Sequence, residues 1–169
     1  MMVKDIFSGS ISSSPYGMTA GGNTLYFFAT DGTNGTELWK SDGTANGTVM
    51  VKDIRSGSTG SIPAYLTAFG STLYFQANDG TNGYELWKSN GSTAGTVMVK
   101  DIYSGSGSSF PSNLTAVGST LYFVATDGTN GFELWKSDGT TSSTMMVKDI
   151  NSAGHSYPSD LTAMGNTLY

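Results

Sequence analysis

The 169-residue chain has no cysteine, which rules out a disulfide framework, a thiolate metal site and a cysteine nucleophile. Histidine and arginine each occur once, as His155 and Arg55. A Ser–His–Asp arrangement would have to rest on His155 with Asp149 or Asp160, and no spacing brings these together; a solvated loop histidine is the commoner case. Basic residues number 8 against 13 acidic ones, a net charge of −5, so the basic footprint of a phosphate-backbone binder is missing and nucleic acid is not an expected partner. No stretch approaches the roughly 18 apolar residues that span a bilayer. The first residues, Met1 to Ile6, lack the apolar core of a signal peptide, although Met2-Val3-Lys4-Asp5-Ile6 matches the internal Met98-Val99-Lys100-Asp101-Ile102, so a signal would lie upstream of this segment.

What is abundant is glycine, 23 residues, beside 37% hydrophobic residues. This is a globular composition rich in turn formers. Self-similarity dominates the sequence. Val-Lys-Asp-Ile begins at Val3, Val51, Val99 and Val147, a constant period of about 48 residues. Asp-Gly-Thr-Asn-Gly begins at Asp31, Asp79 and Asp127 in the same step. Pro15, Pro63 and Pro111 keep the spacing, and Pro158 comes one position early, which places a length-tolerant loop between Ile150 and Pro158. The first and third copies agree at roughly seven positions in ten, which duplication explains. The chain reads as one repeat array over residues 1–169, with units 3–50, 51–98 and 99–146 and a partial unit 147–169.

Within the third unit the pattern predicts four short strands: Ser112 to Ala116, Thr120 to Thr126, Phe132 to Lys136 and Met145 to Ile150. The second is apolar on both faces and needs cover on both sides. Asp127-Gly128-Thr129-Asn130-Gly131 and Ser137-Asp138-Gly139-Thr140 supply the hairpin turns, and a Ser/Gly-rich loop crosses to the next unit. An all-β fold follows. Four antiparallel strands in each repeat of this length is the size and grammar of a β-propeller blade, and the shorter repeats of a β-solenoid fit less well. The expectation is about three complete four-stranded blades plus partial terminal strands: Met2 to Ile6 as a lone last strand, and Leu161 to Ala163 with Thr167 to Tyr169 as a clipped first pair. Closing such a chain joins a first pair to a last strand with no third strand between them. The register therefore suits a piece of a longer array, forming an open arc or self-associating through its open terminal blades.

Glu37-Leu38-Trp39-Lys40-Ser41-Asp42-Gly43-Thr44 and Glu133-Leu134-Trp135-Lys136-Ser137-Asp138-Gly139-Thr140 carry one octet, and Glu85-Leu86-Trp87-Lys88-Ser89-Asn90-Gly91-Ser92 differs from it at two positions. The octet resembles the bacterial ELWxxDGT repeat family, and the likeness covers essentially the whole chain. It implies a long, repetitive, exported β-propeller protein, hence an extracellular or cell-surface location, and it identifies the architecture better than the activity.

The candidates for chemistry each have a structural reading. Trp39, Trp87 and Trp135 have the faces to stack on sugars, but one per unit in mid-strand suits packing between blades, and Tyr26, Tyr74 and Tyr122 read the same way. Asp31, Asp79 and Asp127 are the weak metal candidates. Their loops fit the EF-hand pattern only at its ends, whereas an Asx-type turn accounts for Asp and Gly together, so no metal and no cofactor is expected. The Lys-Asp pairs at Lys4, Lys52, Lys100 and Lys148 would solvate an exposed edge if theirs is the outer strand. Glycosidase chemistry needs two carboxylates in distinct environments, while Glu37, Glu85 and Glu133 recur identically. The expectation is therefore a non-catalytic module for binding or adhesion with a protein or glycan ligand. A purely structural array is the alternative, and a carbohydrate-active enzyme ranks below both. Copies differ mainly in their loops, at Phe7, Arg55, Tyr103 and Asn151, at Tyr16-Gly17, Ala64-Tyr65, Ser112-Asn113 and Ser159-Asp160, and at Thr36, Tyr84 and Phe132. A fixed framework with variable loops carries binding in its loops, which nominates Arg55, Tyr65, Tyr84, Tyr103 and Phe132 as contact residues.

Overall fold

The computed structural model describes residues 1–169. Three four-stranded antiparallel sheets follow one another along the chain, each in simple sequence order. The first holds β1 (Tyr16–Gly21), β2 (Thr24–Thr30), β3 (Thr36–Ser41) and β4 (Val49–Lys52). The second holds β5 (Ala64–Phe69), β6 (Thr72–Asn78), β7 (Tyr84–Ser89) and β8 (Val97–Lys100), and the third β9 (Ser112–Val117), β10 (Thr120–Thr126), β11 (Phe132–Ser137) and β12 (Met145–Lys148). A small hairpin, β13 (Ala163–Met164) with β14 (Thr167–Leu168), follows. No helix is long and apolar enough to cross a membrane.

Turn chemistry sets the hairpins. The first two strands of each sheet are joined by two residues whose first glycine, Gly22, Gly70 or Gly118, has φ near +60°, the left-handed conformation such a turn demands. The Asp-Gly-Thr-Asn-Gly segment makes a five-residue connection between strands two and three, with Thr30 paired to Thr36. Between strands three and four the register slips by one position, from Leu38↔Lys52 to Trp39↔Met50, and the same bulge recurs in the other sheets. The residue left over is the valine of Val-Lys-Asp-Ile.

That valine packs between sheets, where the core lies. Phe28, Leu38 and Val51 of the first sheet, with Ile54 just beyond it, meet Phe75, Ala77 and Trp87 of the second sheet. Tyr74, Leu86, Val99 and Ile102 then meet Leu121, Phe123, Ala125 and Trp135. Each such large side chain removed from water is worth about 1.5–3 kcal/mol, so neighbouring sheets stabilise one another. The first strands lie side by side, β1 against β5, β5 against β9 and β9 against β13.

The sequence-based expectations need correction in four places. Residues Met2 to Ile6 form no strand, because no third strand stands beside them to pair with. They nevertheless hold a last strand's place, with Ile6 packed on Phe27, Ala29 and Trp39 and Lys4 Nζ donating to the Thr48 carbonyl at 2.7 Å. The last strand of the third sheet ends at Lys148 rather than Ile150, since the Ile150 N–H turns to the Glu133 carboxylate at 3.0 Å. The final pair is shorter than expected and begins later, though Thr162 and Tyr169 still exchange backbone bonds. The lysines of Val-Lys-Asp-Ile do more than solvate an edge: Lys52 and Lys100 donate to the Thr96 and Thr144 carbonyls of the following sheet, each at 2.8 Å. Lys40 and Lys88 make a second cross-sheet link, to the Gly91 and Gly139 carbonyls.

Candidate functional site

Antiparallel order puts the starts of strands one and three, the ends of strands two and four, and the crossover loops at one end of every sheet. All the variable contact candidates lie there. What holds the crossovers is the glutamate of the octet. Glu85 is fully buried and accepts from the Ile102 N–H at 2.9 Å, the Ser109 N–H at 3.0 Å and the Ser109 hydroxyl at 2.6 Å. Glu37 grips Ser61 and the Arg55 N–H, and Glu133 grips Ser156 and Ile150. The recurrent glutamate is thus a clamp on the loop that leads to the next sheet. Its sequence signal is the serine that follows at a fixed step in the first two copies, Ser61 and Ser109, and one position early in the third, Ser156.

The three clamps differ electrostatically. Burial pushes the Glu85 carboxyl up to about 7 against the pull of its donors, and raises Glu37 in the same way. Burial also works against ionisation at Glu133, but the Ser156 hydroxyl, the Ile150 and Ser156 N–H groups and nearby His155 hold it below its ordinary value.

Each crossover then delivers two positions of left-handed backbone. The residues before proline, Ser14, Ile62, Phe110 and Tyr157, have φ between +44° and +48°. Two positions after that proline, Gly17, Tyr65, Asn113 and Asp160 have φ between +52° and +65°. Left-handed backbone at non-glycine residues costs on the order of 1–3 kcal/mol each and clusters where function needs it, and a β-branched residue such as Ile62 is the most unfavourable case. Backbone bonds from Phe110 and Tyr157 to the Tyr84 and Phe132 carbonyls hold the turn.

The structure separates the nominated residues into two groups. Arg55 and Tyr103 cap turns: the Arg55 side chain lies on Gly80 and the Tyr103 ring on Gly128, as Phe7 lies on Gly32. Tyr84 stacks on Phe110, with ring centroids 5.7 Å apart, and Phe132 stacks on Tyr157 at 5.5 Å. Tyr65 is 55% exposed. Tyr65 and Phe132 come together with Phe110, Tyr157 and Asn113 around a cleft of about 400 Å³ between the second and third sheets. Phe110 and Tyr157 were missed from sequence; the change from Ser14 to Ile62, Phe110 and Tyr157 before an otherwise constant proline was the available signal. His155 packs on Phe132 and Tyr157 and accepts the Phe132 N–H through Nδ1 at 2.9 Å. A second cleft of about 350 Å³, at the opposite end, is lined by glycines and small residues with Tyr26, Thr72 and Leu73 and holds no charged side chain.

Asp31, Asp79 and Asp127 form Asx turns. Oδ1 of Asp127 accepts the Thr129 and Asn130 N–H groups at 2.9 and 2.8 Å, and Oδ2 accepts the Asn130 amide. Burial opposes ionisation there, yet those donors hold all three carboxyls below the usual carboxylate range. Trp39, Trp87 and Trp135 are each 6% exposed, so their faces are closed to a sugar. Each indole N–H, and one oxygen of Asp53, Asp101 and Asp149, is buried without a hydrogen-bond partner. The Tyr26 and Tyr74 hydroxyls sit against Gly91 and Gly139 of the next sheet, where any Cβ would collide.

No family model matches the sequence, and no curated protein matches it. Among solved structures the chain is similar to the crystal structure of the computationally designed Ika8 protein, with 19% identity and a TM-score of 0.44. The match covers 86% of this chain and 38% of that one.

Proposed function

We propose that this chain is a non-catalytic binding module, an array of propeller blades of the ELWxxDGT type that works at a cell surface or outside the cell. The neighbouring first strands and the cores between sheets support the blade reading, because blades fan out from their first strands and bury their faces on one another. The observation that carries the binding reading is the cleft of Tyr65, Phe110, Asn113, Phe132 and Tyr157. It gathers residues that vary from copy to copy, on strained backbone, at one end of a scaffold that otherwise repeats. Exposed aromatic faces beside an amide suit a glycan or an aromatic-bearing peptide, since ring stacking gives area and the amide gives direction. A glycan and peptide array probed with the wild-type protein and with Tyr65→Ala/Tyr157→Ala tests this. Retention on a ligand class that falls at least tenfold in the variant is the expected result, and unchanged retention removes the cleft from the reading.

The uniform clamps and lysine links favour a second reading, a stiff spacer with no ligand. An array blank for both proteins selects it.

A further inference from the structure

The cleft between the second and third sheets holds a glutamine where the other copies hold hydrocarbon. Gln76 occupies the position of Phe28 and Val124, which are 1% and 4% exposed. Gln76 itself is 8% exposed, and with Val124 it makes the buried floor of the cleft. Its backbone pairs with Ala64 and Leu86, whereas its side-chain amide bonds to no group of the chain and borders the cleft.

The residue opposite has changed with it. In the first sheet Tyr16 stands across from Phe28. Its ring packs on Phe28 with centroids 5.3 Å apart, and its hydroxyl donates to the Pro63 carbonyl at 3.1 Å, so that position is covered. In the second sheet the same cross-strand pair is Ala64 with Gln76, and in the third it is Ser112 with Val124. The copy that places an amide on the floor is therefore one that has lost the ring above it. An apolar side chain would pack there as Phe28 and Val124 do, and a buried amide is costly unless it is partnered. Its partner comes from the cleft, and a ligand that displaces water there must supply both a donor and an acceptor.

The walls narrow the choice. No charged side chain borders the cleft, so a carboxylate, phosphate or ammonium group would lose its hydration without gaining a counter-charge. Tyr65, Phe110 and Tyr157 are exposed, and stacking on Tyr84 and Phe132 holds the Phe110 and Tyr157 rings in place. Ser112, Asn113 and Ser159 add neutral polar groups, with Asn113 Nδ2 donating to the Pro158 carbonyl at 3.3 Å. An aromatic side chain seated among these rings would meet the Gln76 amide with a hydrocarbon edge or a single hydroxyl. A pyranose lays its C–H face on the rings and turns neighbouring hydroxyls, each a donor and an acceptor, to the amide.

We propose that the ligand of this cleft is an uncharged sugar, with one ring stacked on the exposed aromatic faces and two neighbouring hydroxyls bonded to Gln76. The inference rests on the binding reading above and narrows its ligand to one class. Gln76 is then the residue that selects a sugar over an aromatic peptide.

Saturation-transfer NMR titrations on the full chain test it. The uncharged probes are methyl glucoside, methyl galactoside and N-acetylglucosamine, the charged ones glucuronate and glucosamine, and the aromatic one N-acetyltyrosine amide. At least one uncharged sugar is expected to bind, at least tenfold more tightly than the charged sugars. Gln76→Val, which installs the residue of the third copy, should weaken it at least tenfold. Gln76→Leu replaces that variant if circular dichroism shows it unfolded. Sugar binding that the Gln76 variant leaves unchanged, or charged sugars bound as tightly, overturns the proposal and keeps the cleft as a binding site. N-acetyltyrosine amide bound in preference to every sugar overturns it and leaves the binding reading standing. Silence from all probes overturns it as well, and the array of the preceding test then decides whether the binding reading falls with it.

Discussion

The second and third sheets have nearly the same sequence and different surroundings. Leu86 is fully buried between two sheets, and its counterpart Leu134 is only half-buried. Glu85 is pushed up to about 7 by burial, while Glu133, gripped by the matching isoleucine and serine donors and with His155 nearby, falls below its ordinary value. Part of the difference lies in what stands on the far side. In a stacked array, burial and electrostatics belong to the interface rather than to the repeat, as expected where each unit contacts only its neighbours.

The largest test removes the neighbours. Residues 60–109, the whole second sheet with its flanking segments, expressed alone should show no cooperative melt, because both faces of β6 lose their cover; a sharp thermal transition by circular dichroism would break the argument. Next, Leu86→Ala should cost about 2–5 kcal/mol in urea denaturation, the range for emptying a packed core site. Leu134→Ala should cost less than half as much in the monomer, and equal losses would mean that the end sheet is as well packed as the middle one.

A smaller effect follows from the glutamates. A carboxyl with a raised folded-state pKa contributes stability that is fully present below its unfolded value and lost as pH rises through the folded one. Stability should therefore fall as pH rises from the ordinary glutamate range to about 7, with a slope of at most about 1.4 kcal/mol per pH unit for Glu85. Glu133, Asp31, Asp79 and Asp127, all lowered, act oppositely and withdraw stability as pH falls below the ordinary carboxylate range. Chemical denaturation from pH 4 to 8 should thus peak on the acidic side of neutral, and Glu85→Gln should flatten the neutral limb while Glu133→Gln leaves it. An unchanged limb in Glu85→Gln would remove the electrostatic half of the comparison.

The smallest expected effect is that of EDTA, which should hardly move the melting temperature at any sheet, because turn N–H groups already engage Asp31, Asp79 and Asp127. A calcium-dependent rise of several degrees would show selective binding to the native state.

Strand identity, the hairpin turns and the Asx caps were legible because each depends on residues within a few positions: alternation for strands, Asp and Gly for turns. The long, constant repeat period made three like sheets readable as well. The clamp of Glu85 on Ser109 was not, because a carboxylate in mid-strand looks the same whether it faces water or a loop much further along the chain. Nor did the pattern separate Tyr65 and Phe132, which share a cleft, from Arg55 and Tyr103, which cover turns. All four are variable loop-end residues, and only the path of the crossover decides which of them meet.

Sequence alone determined the repeat, the all-β character and the absence of cysteine, since composition and local backbone preference suffice for these. Tertiary structure decided which face of each strand is closed, where the strained residues before and after each proline converge, and why identical valines at Val99 and Val147 lie one in a core and one on a surface. Those outcomes depend on the presence of a neighbouring sheet, a contact made between one repeat and the next that no local signal encodes.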